Sequence, residues 1–394
     1  MNTNAYIREE VKQFISDNLN ADVQKFLLNP PAEFKEHIEF IVDQIISRRK
    51  AKTKLPDWYS NRDLIMPPPL SLEQCSSPAT SAYKAGLIQG EVLVDLTGGM
   101  GVDTLAFAEL YQQVHYVEMN KDLYEVFEHN KKVLGKNIAT YNLTSEAYLN
   151  SFSDKACFFV DPARRDVNKS RVFRFEDCSP NILELLPQFK QKAQQVLVKA
   201  APMIDISLGI KQLDQVREVH VVSLKNEVKE VLFLLDFERE HPNSPIIKCI
   251  NLESEQSSFE FKKEEELGAR SQMGELKKYL YDPNASILKA GAFRLIGNRF
   301  DLTKLGTNTH LYTSDQLIDD FPGRVWEVLA TEVNKKSIGR ILPMDIANVI
   351  TKNHPQKPEE LKKKLKIKDG GEYFVIGFRD LKDRAQLCIA KPAS

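Results

Sequence analysis

Apolar residues recur three and four positions apart in YIREEVKQFISDNL (6–19) and in AEFKEHIEFIVDQIISRRK (32–50). That spacing lines one face of a helix, so residues 1–70 are expected to form a helical N-terminal region. IMPPPL (65–70) cannot continue a helix, because its prolines lack backbone donors, and it reads as a linker. In SLEQCSSPATSAYKAGLI (71–88) the half after Pro78 reads as helix.

The pattern then alternates. EVLVDLT, QVHYVEMN, NIATYNL, ACFFVDP, QQVLVKAAP, REVHVVSL and EVLFLLDF are β-rich runs between 91 and 237. VDTLAFAELY, DLYEVFEHNKKVLG and SPNILELLPQFKQKA carry helical periods between them. The last of these helices is expected to start with Ser179 as N-cap and Pro180 in its first turn. Strand and helix in alternation predict an α/β fold over residues 71–240, doubly wound around a mostly parallel sheet. Residues 241–320 read as a connecting β-containing region, with IIKCINL, SFEFK and YLYDPNASILKAGAFRLI. Residues 321–394 read as a small α+β domain. RVWEVLATEV is a strand, PEELKKKLKI a helix, and EYFVIGFRD with AQLCIAKP a terminal hairpin.

Composition narrows the class. The chain has 394 residues, enough for two or three domains. No apolar run reaches the length of a membrane span, and the N-terminus lacks the apolar core of a signal peptide. Five scattered cysteines form no Cys-x-x-Cys pair and make no ligand spacing with the seven histidines. Reduced thiols, a cytoplasmic location and no structural metal are the expectation. Net charge is −1, but residues 321–394 hold 15 Lys and Arg against 9 Asp and Glu. A basic tail on an acidic body suggests a polyanion partner.

The chemistry concentrates in two places. VDLTGGMGVDT (94–104) joins the first strand of the α/β domain to its first helix, where open α/β sheets bind ligands. It lacks the G-x-G-x-x-G dinucleotide fingerprint. Asp95 and Asp103 would repel a pyrophosphate and suit a cationic, hydroxyl-bearing ligand. The second strand ends at Glu118, placed to accept ribose hydroxyls, and Glu146 follows the third. The second place is FFVDPARRD (158–166), where a buried-looking strand ends on Asp161 and Pro162 and then presents Arg164 and Arg165.

Together, D-x-T-x-G-x-G, an acid after the second strand and Asp-Pro after the fourth resemble a class I S-adenosylmethionine-dependent methyltransferase. The resemblance covers about residues 90–205. It implies a Rossmann-like sheet and S-adenosylmethionine as cofactor, with Asp95, Thr97, Gly99, Gly101, Asp103, Glu118 and Glu146 around it. The wider chain resembles a bacterial branch with a helical N-terminal part and a C-terminal THUMP-like, ferredoxin-like domain. THUMP domains belong to RNA-modifying enzymes, so RNA (tRNA or rRNA) is the implied partner.

In the family, Asp-Pro-Pro-aromatic after the fourth strand serves methylation of a base amino nitrogen. Here Asp161-Pro162-Ala163-Arg164 lacks the second proline and the aromatic. Arg164, Arg165 and Phe173 are candidates to stack on or grip the substrate, with Lys199 as a phosphate contact. Methylation of pyrimidine carbon usually needs a cysteine at these motifs, and neither Asp-Pro-Ala-Arg nor VKAAP (198–202) has one. Amino-nitrogen methylation with Asp161 and Pro162 at the reacting edge is therefore expected. The alternatives are a methyltransferase of DNA, protein or a small molecule, and a non-catalytic RNA-binding scaffold.

Overall fold

The structure is a computed structural model. It describes Tyr6 and residues 8–164, 174–239, 244–331 and 333–393, without the side chains of Arg164 and Lys335. The chain divides into two compact units. The first holds residues 1–217 and 231–242, and the second residues 218–230 and 243–394.

The first unit is built on a sheet. β1 (Val92–Asp95) pairs in parallel with β2 (Gln113–Val117) on one side and β4 (Ala156–Val160) on the other. β3 (Ala139–Tyr141) extends the sheet beyond β2, and β5 (Ala193–Ala200) extends it beyond β4, again in parallel. β6 (Val216–Leu224) and β7 (Glu227–Asp236) follow, and the end of β7 runs antiparallel to β5. β1, β4 and the middle of β5 are apolar runs buried on both faces, as a covered parallel sheet requires. The chain leaves β1 toward β2 and later returns to β4 on the opposite side. The β1–β4 boundary is thus a topological switch point, where side chains at the strand ends face an open crevice.

The expected N-terminal helices are present as α1 (Glu9–Asp17) and α2 (Ile38–Lys54). Their apolar faces share one cluster with Ile65 and Val126. The segment read as a linker differs from expectation. Leu64, Ile65, Met66 and Pro67 are non-helical, as the prolines dictate, but buried. Side chains replace the missing ladder: Gln44 bonds both backbone groups of Met66, Asn130 both of Ile65, and Ser47 the carbonyl of Pro67. Arg48, also buried, donates to the carbonyls of Asn61, Arg62 and Leu64 and to the Tyr6 hydroxyl. Composition gave no sign of this, because a Pro-rich stretch looks alike whether it is solvated or stitched.

After Pro78, α3 (Pro78–Ala85) forms as expected, capped by Ser77. α4 (Val102–Phe107), α5 (Lys121–Val133), α6 (Ser145–Ser151) and α7 (Ile182–Lys192) are the crossover helices. α7 begins later than its sequence suggested. Asn181 is the N-cap, accepting from the Leu183 N–H, while Ser179 sits in a two-residue ribbon paired with Ala163. Two polar residues two positions apart can each cap a helix, and the ribbon takes Ser179.

In the second unit, β6 pairs in parallel with Ile246–Leu252, which pairs antiparallel with Phe259–Lys262. A separate sheet of eight strands among the described residues joins Tyr279–Pro283 to Gly323–Ala330 and carries the expected hairpin, Phe374–Arg379 with Ala385–Pro392. The Lys-rich helix is Pro358–Leu365. No helix among the described residues is long and apolar enough to cross a membrane.

Arg48→Met removes one buried donor set, leaving the Leu64 carbonyl without its partner and taking one of two donors from the carbonyls of Asn61 and Arg62. It should cost about 2–4 kcal/mol in urea unfolding followed by circular dichroism; a change under about 0.5 kcal/mol would show that water already serves those carbonyls.

Candidate functional site

The carboxyl ends of β1, β2 and β4 open into a cavity of about 300 Å³. Its floor is the turn from Leu96 to Val102. Two of the turn's glycines have a reason the sequence did not reveal. A Cβ on Gly98 would lie 2.2 Å from the Tyr116 ring, and one on Gly101 would lie 2.1 Å from the Phe127 ring. These rings stack at 3.9 Å beneath the turn, and Gly101 holds a φ of +80° that disfavours other residues. The glycines therefore let the loop lie flat on an aromatic pair, and the flat loop leaves the cavity open above it.

Four carboxylates line the cavity: Asp95, Asp103, Glu118 and Asp161. Among the described residues, no Lys, Arg or His lines it. Asp95 ends β1 and is buried. It accepts from the Thr104 hydroxyl at 2.6 Å and the Thr97 N–H at 3.0 Å. Burial pushes its carboxyl up to about 7, with those two hydrogen bonds pulling the other way. Glu118, just past β2, accepts from the N–H groups of Gly99 at 2.8 Å and Asn120 at 2.7 Å. Burial raises its carboxyl too, against those bonds.

Asp103 stands in the first turn of α4, 3.2 Å from the ammonium of Lys84, and accepts from the Ser76 hydroxyl. Asp161 follows β4. Its N–H donates to the Thr97 hydroxyl at 2.7 Å, and its carboxylate pairs with Lys199, which extends from β5. Pro162 is buried beside it.

The lining contains Asp95, Thr97, Gly99, Gly101, Asp103, Glu118 and Asp161. Glu146 lies outside it, exposed in the first turn of α6, while its neighbour Ser145 lines the cavity and donates to the Leu96 carbonyl. Lys199 also lies outside the lining. The side chain of Arg164, and all of Arg165 and Phe173, fall outside the described residues. Cavity residues that sequence reasoning missed are Met119, Leu123 and Leu143, an apolar shelf beside Glu118, and Ser71, Gln74, Cys75 and Ser76 from the chain before β1. The Cys75 thiol is raised by burial, which suppresses the thiolate a nucleophile needs.

An acid-lined cavity with an apolar shelf fits S-adenosylmethionine, which has an ammonium, a positive sulfur, a ribose and a base. Among the described lining residues, a pyrophosphate would meet four carboxylates and no cation.

Comparison with known proteins agrees. A family profile described as a ferredoxin-like domain matches residues 279–322, and one described as THUMP domain-like matches residues 323–392. A crystal structure from Porphyromonas gingivalis W83, of a protein assigned as a methyltransferase, is 31% identical over 98% of both chains, with a TM-score of 0.84. Uncharacterized S-adenosylmethionine-dependent methyltransferases from two strains of Mycobacterium tuberculosis are 23% identical over 88% of this chain and 94% of theirs.

Gly101→Ala should abolish cofactor binding in calorimetry and cost more than about 2 kcal/mol of stability, since strain and clash combine. Gly135→Ala, at φ +64° with open space around its Cβ, should cost only about 1 kcal/mol. Asp95 holds its proton in the folded state at pH values where the unfolded chain has lost it. Its contribution to stability therefore falls as pH rises from about 4 to about 7, by about 1.4 kcal/mol per unit at most. Ligand-free Asp95→Asn should lose that slope in pH-dependent urea unfolding; an unchanged slope would assign it to other groups.

Proposed function

Because this chain belongs to the S-adenosylmethionine-dependent methyltransferases, we propose that it methylates a base amino nitrogen of tRNA or rRNA. The observation that carries this reading is Asp161, a carboxylate at the cofactor cavity whose backbone is bonded to Thr97 of the glycine turn.

When bound, S-adenosylmethionine supplies a methyl group activated by its positive sulfur. Glu118 would accept the ribose hydroxyls, since each of its oxygens is already oriented by a backbone N–H. Met119, Leu123 and Leu143 would cover the cofactor's base, with Ser145 beside it. Asp95 would meet the cationic part, and that contact favours its ionised form. On the acceptor side, a base amino group would donate to Asp161. Asp161 would take the surplus proton from the nitrogen that gains the methyl, whose bond to the cofactor sulfur breaks to leave a neutral thioether. Pro162 shapes the turn that presents it. Orientation supplies the rest of the barrier reduction, so the fixed backbone of Asp161 matters as much as its charge. Arg164, Arg165 and Phe173 follow on the chain as candidate grips for the base and its phosphates.

The RNA half of the reading rests on the THUMP domain-like match and on charge. Lys363, Lys364, Lys366 and Lys368 are exposed in and just after helix Pro358–Leu365, whereas Lys362 pairs with Glu359 and Asp369. We place the reaction in the cytoplasm, where five thiols that form no disulfide among the described residues stay reduced.

The test is transfer of labelled methyl from S-adenosylmethionine to total cellular RNA, followed by nucleoside analysis. Asp161→Asn should keep cofactor affinity and lose about 10²–10⁴-fold in turnover. Label in protein or small molecules, with none in RNA, would move the substrate class. Full activity of Asp161→Asn would remove Asp161 from the chemistry. RNA affinity should fall steeply with salt, and the log–log slope should shrink by about one for each of Lys363, Lys364 and Lys366 changed to Gln. A slope that stays constant across all three variants would place the RNA elsewhere.

A further inference from the structure

Lys84 has no exposed side-chain surface. Lysine is rarely fully buried unless it is paired, because an ammonium loses its hydration there. Its Nζ donates to Ser76 Oγ at 2.8 Å and forms an ion pair with Asp103 Oδ1 at 3.2 Å, outside hydrogen-bond angles. Ser76 Oγ in turn donates to Asp103 Oδ2 at 2.8 Å. The three side chains close a triangle between two stretches far apart in sequence. Ser76 and Lys84 precede β1, and Asp103 opens the helix that follows the glycine turn.

The triangle borders the cofactor cavity. Ser71, Gln74, Cys75 and Ser76 line the cavity, as does Asp103, but Lys84 does not. The stretch Ser71–Ser76 thus forms one wall, and the Ser76–Asp103 bond is its polar anchor beside the glycine turn, next to the apolar packing of Leu72 and Cys75 with Met100 and Val102. Lys84 neutralises Asp103 from behind. Without it, a half-buried carboxylate would lack its countercharge and the Ser76 hydroxyl would lose the donor that orients it.

We propose that Lys84 is a positioning residue that acts through Ser76 and Asp103 to hold Ser71–Ser76 as a wall of the cofactor cavity. Asp103 then serves the cofactor by fixing the wall. This rests on the cofactor reading above and adds to it a segment and a buried cation that do not belong to the glycine turn.

Cys75 supplies a local reporter. It lines the cavity and is partly exposed, whereas the other four cysteines are buried. A ligand seated against the wall shields it from a thiol reagent, and a loosened wall exposes it. The experiment uses the full chain and compares the parent with Lys84→Met, Ser76→Ala and the double variant Lys84→Met/Asp103→Asn. S-adenosylhomocysteine affinity is measured by calorimetry. Iodoacetamide labelling of Cys75 is followed by peptide mass spectrometry, with and without S-adenosylhomocysteine.

Lys84→Met is expected to bind at least tenfold more weakly, to label faster at Cys75, and to lose the shielding. The double variant, which removes both charges together, should recover part of the affinity. Parent-like affinity and labelling in Lys84→Met would overturn the proposal, as would a double variant no tighter than Lys84→Met. Should Lys84→Met fail to fold, Ser76→Ala carries the test: faster Cys75 labelling and weaker shielding support the wall, and unchanged values refute it. A parent protein that does not bind S-adenosylhomocysteine at all would overturn the cofactor reading as well, which separates that failure from failure of the clasp.

Discussion

The hydroxyl of Thr97 joins the two halves of the site. It accepts the backbone N–H of Asp161, while the N–H of the same residue is held by Asp95. The end of β1 and the end of β4 are thereby tied across the switch point, beyond the last ladder pair, Asp95 with Phe159. Neither the glycine turn nor the end of β4 can shift without breaking a partly buried hydrogen bond. Methyl transfer by orientation needs that coupling, since a small misplacement of either partner lengthens the path of the transferring carbon.

Charge is handled with the same economy. Of the four carboxylates at the cavity, Asp103 and Asp161 each have a lysine that does not line it. Asp95 and Glu118 instead accept backbone or hydroxyl donors, and burial raises both. Burial thus disfavours the ionised form of both, and a cationic ligand beside them would favour it. The aromatic pair under the glycine turn contributes rigidity, because two stacked rings leave no room for the loop to sink.

Much of this was legible in the chain. Alternation of β-rich and helical periods specified the α/β unit, and the acids at strand ends marked the crevice, because both are local patterns. What escaped was set by contacts between distant residues. The wall Ser71–Ser76 precedes β1 and reads as an ordinary approach to a helix. Lys84 sits in a mixed polar helix, where nothing distinguishes a solvated lysine from a buried one until Asp103 is found beside it. Glu146 and Ser145 show the limit of periodicity: the helix start is readable, but not which of two neighbours faces the cavity. The prolines of 65–70 keep Ile65 to Pro68 out of a helix as their chemistry demands, yet the burial of Ile65 and Met66 depends on Asn130 and Gln44.

The central claim is that the cavity is built for a cationic, ribose-bearing ligand. The most direct test is calorimetric titration of the ligand-free protein with S-adenosylmethionine, S-adenosylhomocysteine and, as a pyrophosphate-bearing comparator, NAD. Micromolar binding of the first two with no heat from NAD is the predicted result. Binding of NAD, or of none of the three by folded protein, would contradict it.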